Sequence, residues 1–488
     1  MRVTNRWFVL SIVALAQFMV VLDATITNVA LPSIQSDLHF GSADLQWVIN
    51  AYTLLFGGFL LLGGRAGDLF GRRRLFVAGL VLFTAASLMN GVATSSTMLI
   101  VGRAVQGFGA ALVTPAVLSI MTTTFSEGRE RARALAVFAA IATAGGASGL
   151  ILGGVLTDLL SWRWVFYINL PVGIVATFLA LRFVPDSRAE HRPAGTDIAG
   201  ASLVTGGLLL LVYDIVKAQQ YGWTSGRTLG LAAAAVALLV SFVVVELRSR
   251  AALVDLSIFR KRSLTVANVG MLLVASGLFS TFYFISLYLQ DIHGDSPLRA
   301  GVSLLPFPVM IAISSVLAQA LLPRVGVRSL LYFGLTVVSA GLFWLGALPA
   351  QGSYLTDLLP AIVVIAFGLG FTFSPLILLA TTGVEDDEAG LASGLFNTSQ
   401  QVGGALGLAI LASLAAGRTS GAISTGVAHA QALVDGYTRA YLVAGGLSIA
   451  ALALVVLLIR RSDVAQIDQQ IEVTESVEQE TQPALEAA

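Results

Sequence analysis

The chain has 488 residues, of which 56% are hydrophobic and only 11% charged, and its mean hydropathy is +0.84. Zero net charge removes the electrostatic footprint of a nucleic-acid binder. The absence of cysteine removes disulfides, thiol chemistry and cysteine-held metal, and the four scattered histidines (His39, His191, His293, His429) match no metal-ligand spacing.

What remains is a succession of apolar runs of about 20 residues, the length that crosses a bilayer as a helix. The first, 7–28, is too long for a signal peptide and lacks its cleavage site, so it is expected to stay as helix 1. It contains Asp23. An unpaired charge inside lipid costs about 2.5–3.5 kcal/mol on insertion scales, so this carboxyl is expected to face a cavity, where it can hold a proton or meet a cationic substrate. The structural alternative ties it to Thr25 or Asn28. Helix 2, 47–66, carries Asn50 and leads into a turn, 64–75, where Asp68 stands near Arg72, Arg73 and Arg74. Such charges can bridge to a neighbouring helix end and break when the protein rocks, so Asp68, Arg72 and Arg73 are read as a latch; alternatively the arginines only fix topology and meet anionic lipid.

Helix 3 spans 75–94. Helix 4, 97–118, holds Arg103, a guanidinium that cannot shed its charge and therefore needs acceptors or water, with Gln106 one turn later. Helix 5, 134–157, carries Gly145, Gly149, Gly153 and Gly154, whose spacing lets another helix approach closely. Helix 6 covers 164–184. Helices 7 and 8, 198–217 and 228–247, contain Asp214, read as interfacial.

In the second half come helix 9 (264–289), 10 (299–322), 11 (329–348), 12 (356–380), 13 (390–414) and 14 (438–460). Phe279, Phe282, Tyr283 and Tyr288 on helix 9 and Asn397, Gln400 and Gln401 on helix 13 offer ring faces and neutral amides suited to flat, lipophilic ligands. Asp158, Glu246 and Asp291 fall at helix ends, which leaves Asp23 as the sole deep acid of the two halves and predicts a preference for neutral or singly charged substrates over dications. Residues 462–488, with seven acids and no base, read as a disordered cytoplasmic tail.

An even number of spans puts both termini on one side. If that side is the cytoplasm, Lys and Arg fall 21 inside and 6 outside, with Arg103 within a helix, as the positive-inside rule requires. The run GGASGL (145–150) recurs as GGALGL (403–408), and GRRRL (71–75) as GVRSL (326–330). These echoes predict two six-helix bundles, 1–190 and 263–461, with a linker, 191–262, that inserts helices 7 and 8.

At this point the sequence resembles the major facilitator superfamily, and within it the fourteen-helix drug:proton antiporter branch of the EmrB/QacA type. The likeness is carried by LDATITNVALP (22–32), QWVINAY (46–52), GRAGDLFGRRRL (64–75), RAVQGFGAA (103–111) and, most specific to the branch, WRWVFYINLPVG (162–173). It departs at Leu69, where an Arg is usual, and at Leu150, where the helix 5 motif carries Pro. The resemblance implies a bacterial inner-membrane transporter, not an enzyme, that moves small lipophilic compounds by alternating access with proton antiport. Asp23 and Arg103 would couple the proton, Asp68, Arg72, Arg73 and the helix 5 glycines would gate, and Asp23, Asn50, Gln106, Phe279, Phe282, Tyr283, Asn397, Gln400 and Gln401 would meet substrate. The expected partners are substrates, protons and membrane lipids, with no nucleic acid, cofactor or metal. No nucleotide-binding fingerprint is present, so ATP is not the expected energy source. Sodium stays an alternative ion, since a carboxylate with Thr, Asn and carbonyl oxygens can bind it. An exporter or flippase of an endogenous lipid or amphiphile is the alternative function, and a non-transporting sensor or scaffold the rival of another class.

Overall fold

The computed structural model describes residues 5–125, 128–187, 195, 197–249, 252–382, 384, 388–460 and 463–464; apart from 463–464, the expected acidic tail lies outside them. The helices are α1 (Arg6–Leu38), α2 (Trp47–Phe70), α3 (Arg72–Gly91), α4 (Ser96–Thr124), α5 (Arg129–Leu159), α6 (Trp164–Tyr167) and α7 (Asn169–Phe183). They continue with α8 (Ile198–Tyr221), α9 (Gly226–Arg248), α10 (Arg262–Leu287), α11 (Pro297–Leu304), α12 (Pro306–Leu345), α13 (Leu359–Thr381), α14 (Ala389–Ser424) and α15 (His429–Leu458).

Thirteen helical stretches among the described residues are long and apolar enough to cross a membrane, and the longest, Pro297–Leu345, is two spans. Gly326 divides it, with φ 74° and ψ 161°, a conformation closed to residues with a Cβ. Fourteen spans result. The remaining differences from the sequence reading have local causes. Predicted helix 6 breaks at Ile168, because Pro171 has no N–H to offer the Tyr167 carbonyl. Pro308 does the same to Leu304 before α12. Predicted helices 13 and 14 lengthen to Ser424 and His429, since Arg418 and Asp435 continue the helices past the apolar zone and pair with each other at 3.6 Å.

Caps start the helices where backbone donors would otherwise be orphaned. Asn5, Ser95, Asp197, Ser225 and Ser296 accept from Trp7, Met98, Gly200, Thr228 and Arg299 backbone N–H groups.

The first-half helices pack together, α1 on α5 and α7, α2 on α4, and α3 on α4 and α7. In the second half α12 packs on α13 and α15, and α10 on α14 and α15. The sequence echo has a physical counterpart. A Cβ on Gly145 would stand 3.1 Å from the Phe18 carbonyl of α1, and one on Gly403 would strike the Leu272 carbonyl of α10. Gly149 abuts Leu22 and Thr25 just as Gly407 abuts Ser276. Gly71 and Gly326, at the matching turns, both have positive φ (107° and 74°). The inserted helix α8 leans on α2 and α14, and α9 rests on α8.

The halves meet along α2 and α14, where Gln401 packs on Gly57 and Leu61 on Gly394, and again on the side away from the termini, here the far side. There Ser286 Oγ donates to the Asn28 carbonyl (2.8 Å), Gln290 Nε2 donates to the Val29 carbonyl (2.9 Å), and α5 packs on α11. Of residues 135–140 only Phe138 is not exposed, more than one lipid-facing stripe would leave open. The two halves are thus closed on the far side, while toward the termini α5 is exposed and α2 stays packed on α14.

Candidate functional site

Asp23 sits mid-helix in α1 and is fully enclosed, as is Arg103 of α4 at 1% exposure. Two charges this deep must satisfy each other. Arg103 Nη1 donates to Asp23 Oδ2 at 2.5 Å, its Nε donates to the Val48 carbonyl at 2.9 Å, and the guanidinium lies 4.3 Å from the centre of the Tyr52 ring. The second carboxylate oxygen, Oδ1, accepts from Gln106 Nε2 (2.7 Å) and Asn169 Nδ2 (2.8 Å). Gln106 is saturated: its Oε1 accepts from Arg103 and Asn90, both at 2.8 Å, and its Nε2 also donates to Ser87 Oγ at 2.8 Å. Helices α1, α2, α3, α4 and α7 therefore converge on this pair, and among the described residues the second half contributes nothing to it.

Two sequence expectations change here. Asp23 does not face an open cavity in this conformation, because Arg103, Gln106 and Asn169 occupy its oxygens. It is also not tied to Thr25 or Asn28, which donate to carbonyls of their own helix. Asn50 is likewise enclosed and donates to Gln46 (3.3 Å), outside the Asp23 network. Ser87, Asn90 and Asn169 were not singled out from the sequence; their signal is a neutral polar side chain inside an apolar run, and Asn169 lies in the quoted run 162–173.

The second-half candidates do not form one cluster. The Phe279 ring covers Gly404, Phe282 stacks on Phe307 (4.6 Å), Asn397 donates to Ser393 of its own helix, and Gln401 packs on Gly57 of α2. Gln400 is half-buried and Tyr288 donates to the Pro349 carbonyl. Tyr283 lines a separate far-side pocket with Asp291. Asp214 is 4% exposed within α8. Glu246, placed at a helix end, is also buried, at 4%.

Asp68 accepts from Arg72 (3.1 Å), Arg73 donates to the Val184 carbonyl (3.3 Å) at the end of α7, and Arg74 lies 3.5 Å from Asp186. This turn joins helix ends of the first half, and none of these bonds reaches the second. The glycine seam divides in two. Gly145, Gly149 and Gly153 face α1, whereas Gly154 faces α11, where a Cβ would stand 2.6 Å from Leu298 Cα. Leu150, the departure from the family motif, is 1% exposed and offers its carbonyl to the face of Gly301, so it belongs to the closed seam between the halves.

The comparisons with known proteins agree with this architecture. The chain is 40% identical over 457 residues to the puromycin resistance protein pur8 of Streptomyces alboniger, covering 93% of this chain and 90% of that one. It is 40% identical over 419 residues to the cephamycin export protein CmcT of Amycolatopsis lactamdurans, covering 85% and 86%. Among solved structures, the POT family transporter PepTSo superposes with a TM-score of 0.68 at 15% identity, over 93% of this chain and 98% of that one. The Major Facilitator Superfamily model matches residues 13–408, and the chain belongs to that superfamily, as a multi-pass membrane transporter and not an enzyme.

Proposed function

We propose that this protein is a proton-coupled exporter that moves small lipophilic neutral or monocationic compounds out of a bacterial cell by alternating access, with both termini in the cytoplasm of the inner membrane. The relatives' names, puromycin resistance and cephamycin export, support efflux as its direction. The single observation that carries the coupling is the enclosed Asp23–Arg103 pair, because a buried carboxylate with one cationic partner is a two-state group. Deprotonated, Asp23 holds Arg103 and helices α1, α4 and α7 together. Protonated, it loses the charge that Arg103 pairs with, and Arg103 keeps the Val48 carbonyl and Gln106. Proton uptake from outside and release to the cytoplasm would then alternate with substrate passage the other way. With Asp23 and Arg103 paired and α5 exposed toward the termini, the arrangement described here is read as the cytoplasm-facing step after proton release. The helix units 1–190, 191–262 and 263–461 are read as bundle, linker and bundle.

The test is proton release on substrate addition. Purified protein in weak buffer should release protons when a transported compound is added, and Asp23→Asn should release none. An unchanged release by that variant would contradict the assignment.

The Asp68 turn carries a further expectation. Neutralising Asp68 removes the bond to Arg72 within the α2–α3 turn, and neutralising Arg72 and Arg73 together also removes the bond to the end of α7, without touching the Asp23 network. Transport should slow about tenfold while substrate affinity stays the same, as measured by initial rates and equilibrium binding. A matching loss of affinity would place these residues in the binding site.

A further inference from the structure

On the far side, α10, α14 and α15 enclose a pocket of about 480 Å³ that the sequence reading did not anticipate. Its wall includes Tyr283, Asp291, Thr419, His429 and Tyr437, and Gln35 of α1 closes it from the other half. Asp291 also lines an adjoining pocket of about 660 Å³ with Asp37, His39 and Asp295. It therefore stands at the threshold between a polar mouth and an aromatic interior.

The acids at this mouth are not equivalent. Asp37 is held by Arg163 at 2.6 Å and Trp162 at 2.9 Å, and Asp295 by Arg299 at 3.1 Å. Asp291 has no ion pair or hydrogen bond among the described residues, and His429, Tyr283 and Tyr437 are the other titratable groups that line its pocket. Inside, Tyr283 and Tyr437 are 2% and 5% exposed, and Phe284 touches both, at 5.2 and 5.3 Å between ring centres. Both tyrosines lie within electrostatic reach of the Asp291 carboxylate. The chain forms a π-helical turn at Tyr288–Ile292, and such turns re-aim a side chain that a regular helix would carry elsewhere.

We propose that this pocket is a second binding site, open to the far side, for the charged end of a lipophilic monocation. The unpaired carboxylate supplies the charge complement, and the tyrosine and phenylalanine rings supply apolar area and π faces for the cation's substituents. The site is built almost wholly by the second half and lies apart from the Asp23 network, so it gives an exported cation a resting place on the exit side. It also provides the second acid that the sequence reading, resting on Asp23 alone, did not allow for.

The test is an equilibrium affinity without a proton gradient, so its outcome is independent of whether transport is proton-coupled. Binding of tetraphenylphosphonium, of isosteric tetraphenylborate and of neutral triphenylphosphine oxide is measured on the protein in lipid nanodiscs, with empty discs subtracted. Asp291→Asn, which breaks no bond of the fold, should weaken phosphonium binding about tenfold and leave the phosphine oxide unchanged. Asp291→Lys should reverse the preference between phosphonium and borate. Unchanged phosphonium affinity in both variants would overturn the proposal. So would an equal loss of the neutral compound, because the carboxylate would then be shaping the pocket and not pairing a charge.

Discussion

Asp23→Asn should reduce gradient-driven transport to the level of protein-free vesicles while the protein still folds. The amide preserves the volume and one acceptor oxygen, but it cannot cycle a proton. Stability will not be untouched, since removing one partner of a buried pair costs about 3–5 kcal/mol. Arg103 retains the Val48 carbonyl, the Gln106 oxygen and the Tyr52 ring, so the loss should appear as a lowered unfolding temperature, not as unfolding. The second substitution Arg103→Gln separates the two roles. Replacing Arg103 as well removes the uncompensated buried cation that Asp23→Asn leaves behind, so Asp23→Asn with Arg103→Gln should regain thermal stability over Asp23→Asn alone and remain inactive. Recovery of transport together with stability would mean that the pair only holds helices together.

Gly154→Leu should trap the protein away from the conformation described here. A Cβ there would stand 2.6 Å from Leu298 Cα and 2.8 Å from the Pro297 carbonyl, and backbone cannot yield as a side chain can. Overpacking of this kind costs about 1–3 kcal/mol. In an alternating-access cycle the α5–α11 contact breaks when the far side opens, so the cost falls on the closed state and shifts its population about tenfold or more. The chain has no cysteine of its own, so Ser286→Cys, buried at the far-side seam, reports closure without background. Its labelling by a membrane-impermeant maleimide should rise about tenfold in Gly154→Leu, with transport falling in parallel. Gly149→Val, packed against α1 within the same half, should instead lower the unfolding temperature and leave labelling unchanged. If Gly149→Val raised labelling as much, the seam between the halves would not be the element that closes the far side.

The spans were legible because each needs one unbroken apolar run, and so were Asp23 and Arg103, because a charge inside such a run is conspicuous. Their direct contact was not legible: it joins residues 80 positions apart, and Asn169 reaches Asp23 across 146. Neutral amides such as Asn90 carry no charge that demands a partner, so the network that saturates Gln106 was not read from the sequence. Helix ends misled for a different reason. Arg418 and Asp435 marked the limit of the apolar zone and not of the helices, while Asp291 and Glu246 showed that distance from a helix end does not say which way a side chain points. The four helix 5 glycines looked alike by spacing, yet Gly154 lies about 100° around the helix from Gly153 and so meets a different partner.

The most direct measurement is transport in proteoliposomes with an imposed pH gradient and no ATP. A lipophilic monocationic dye should move toward the acidic side, against its concentration gradient, and stop when a protonophore collapses the gradient or when Asp23 is replaced by Asn. Movement that persists without the gradient, or labelled lipid crossing the bilayer while the dye does not, would contradict proton-coupled drug export as the function of this chain.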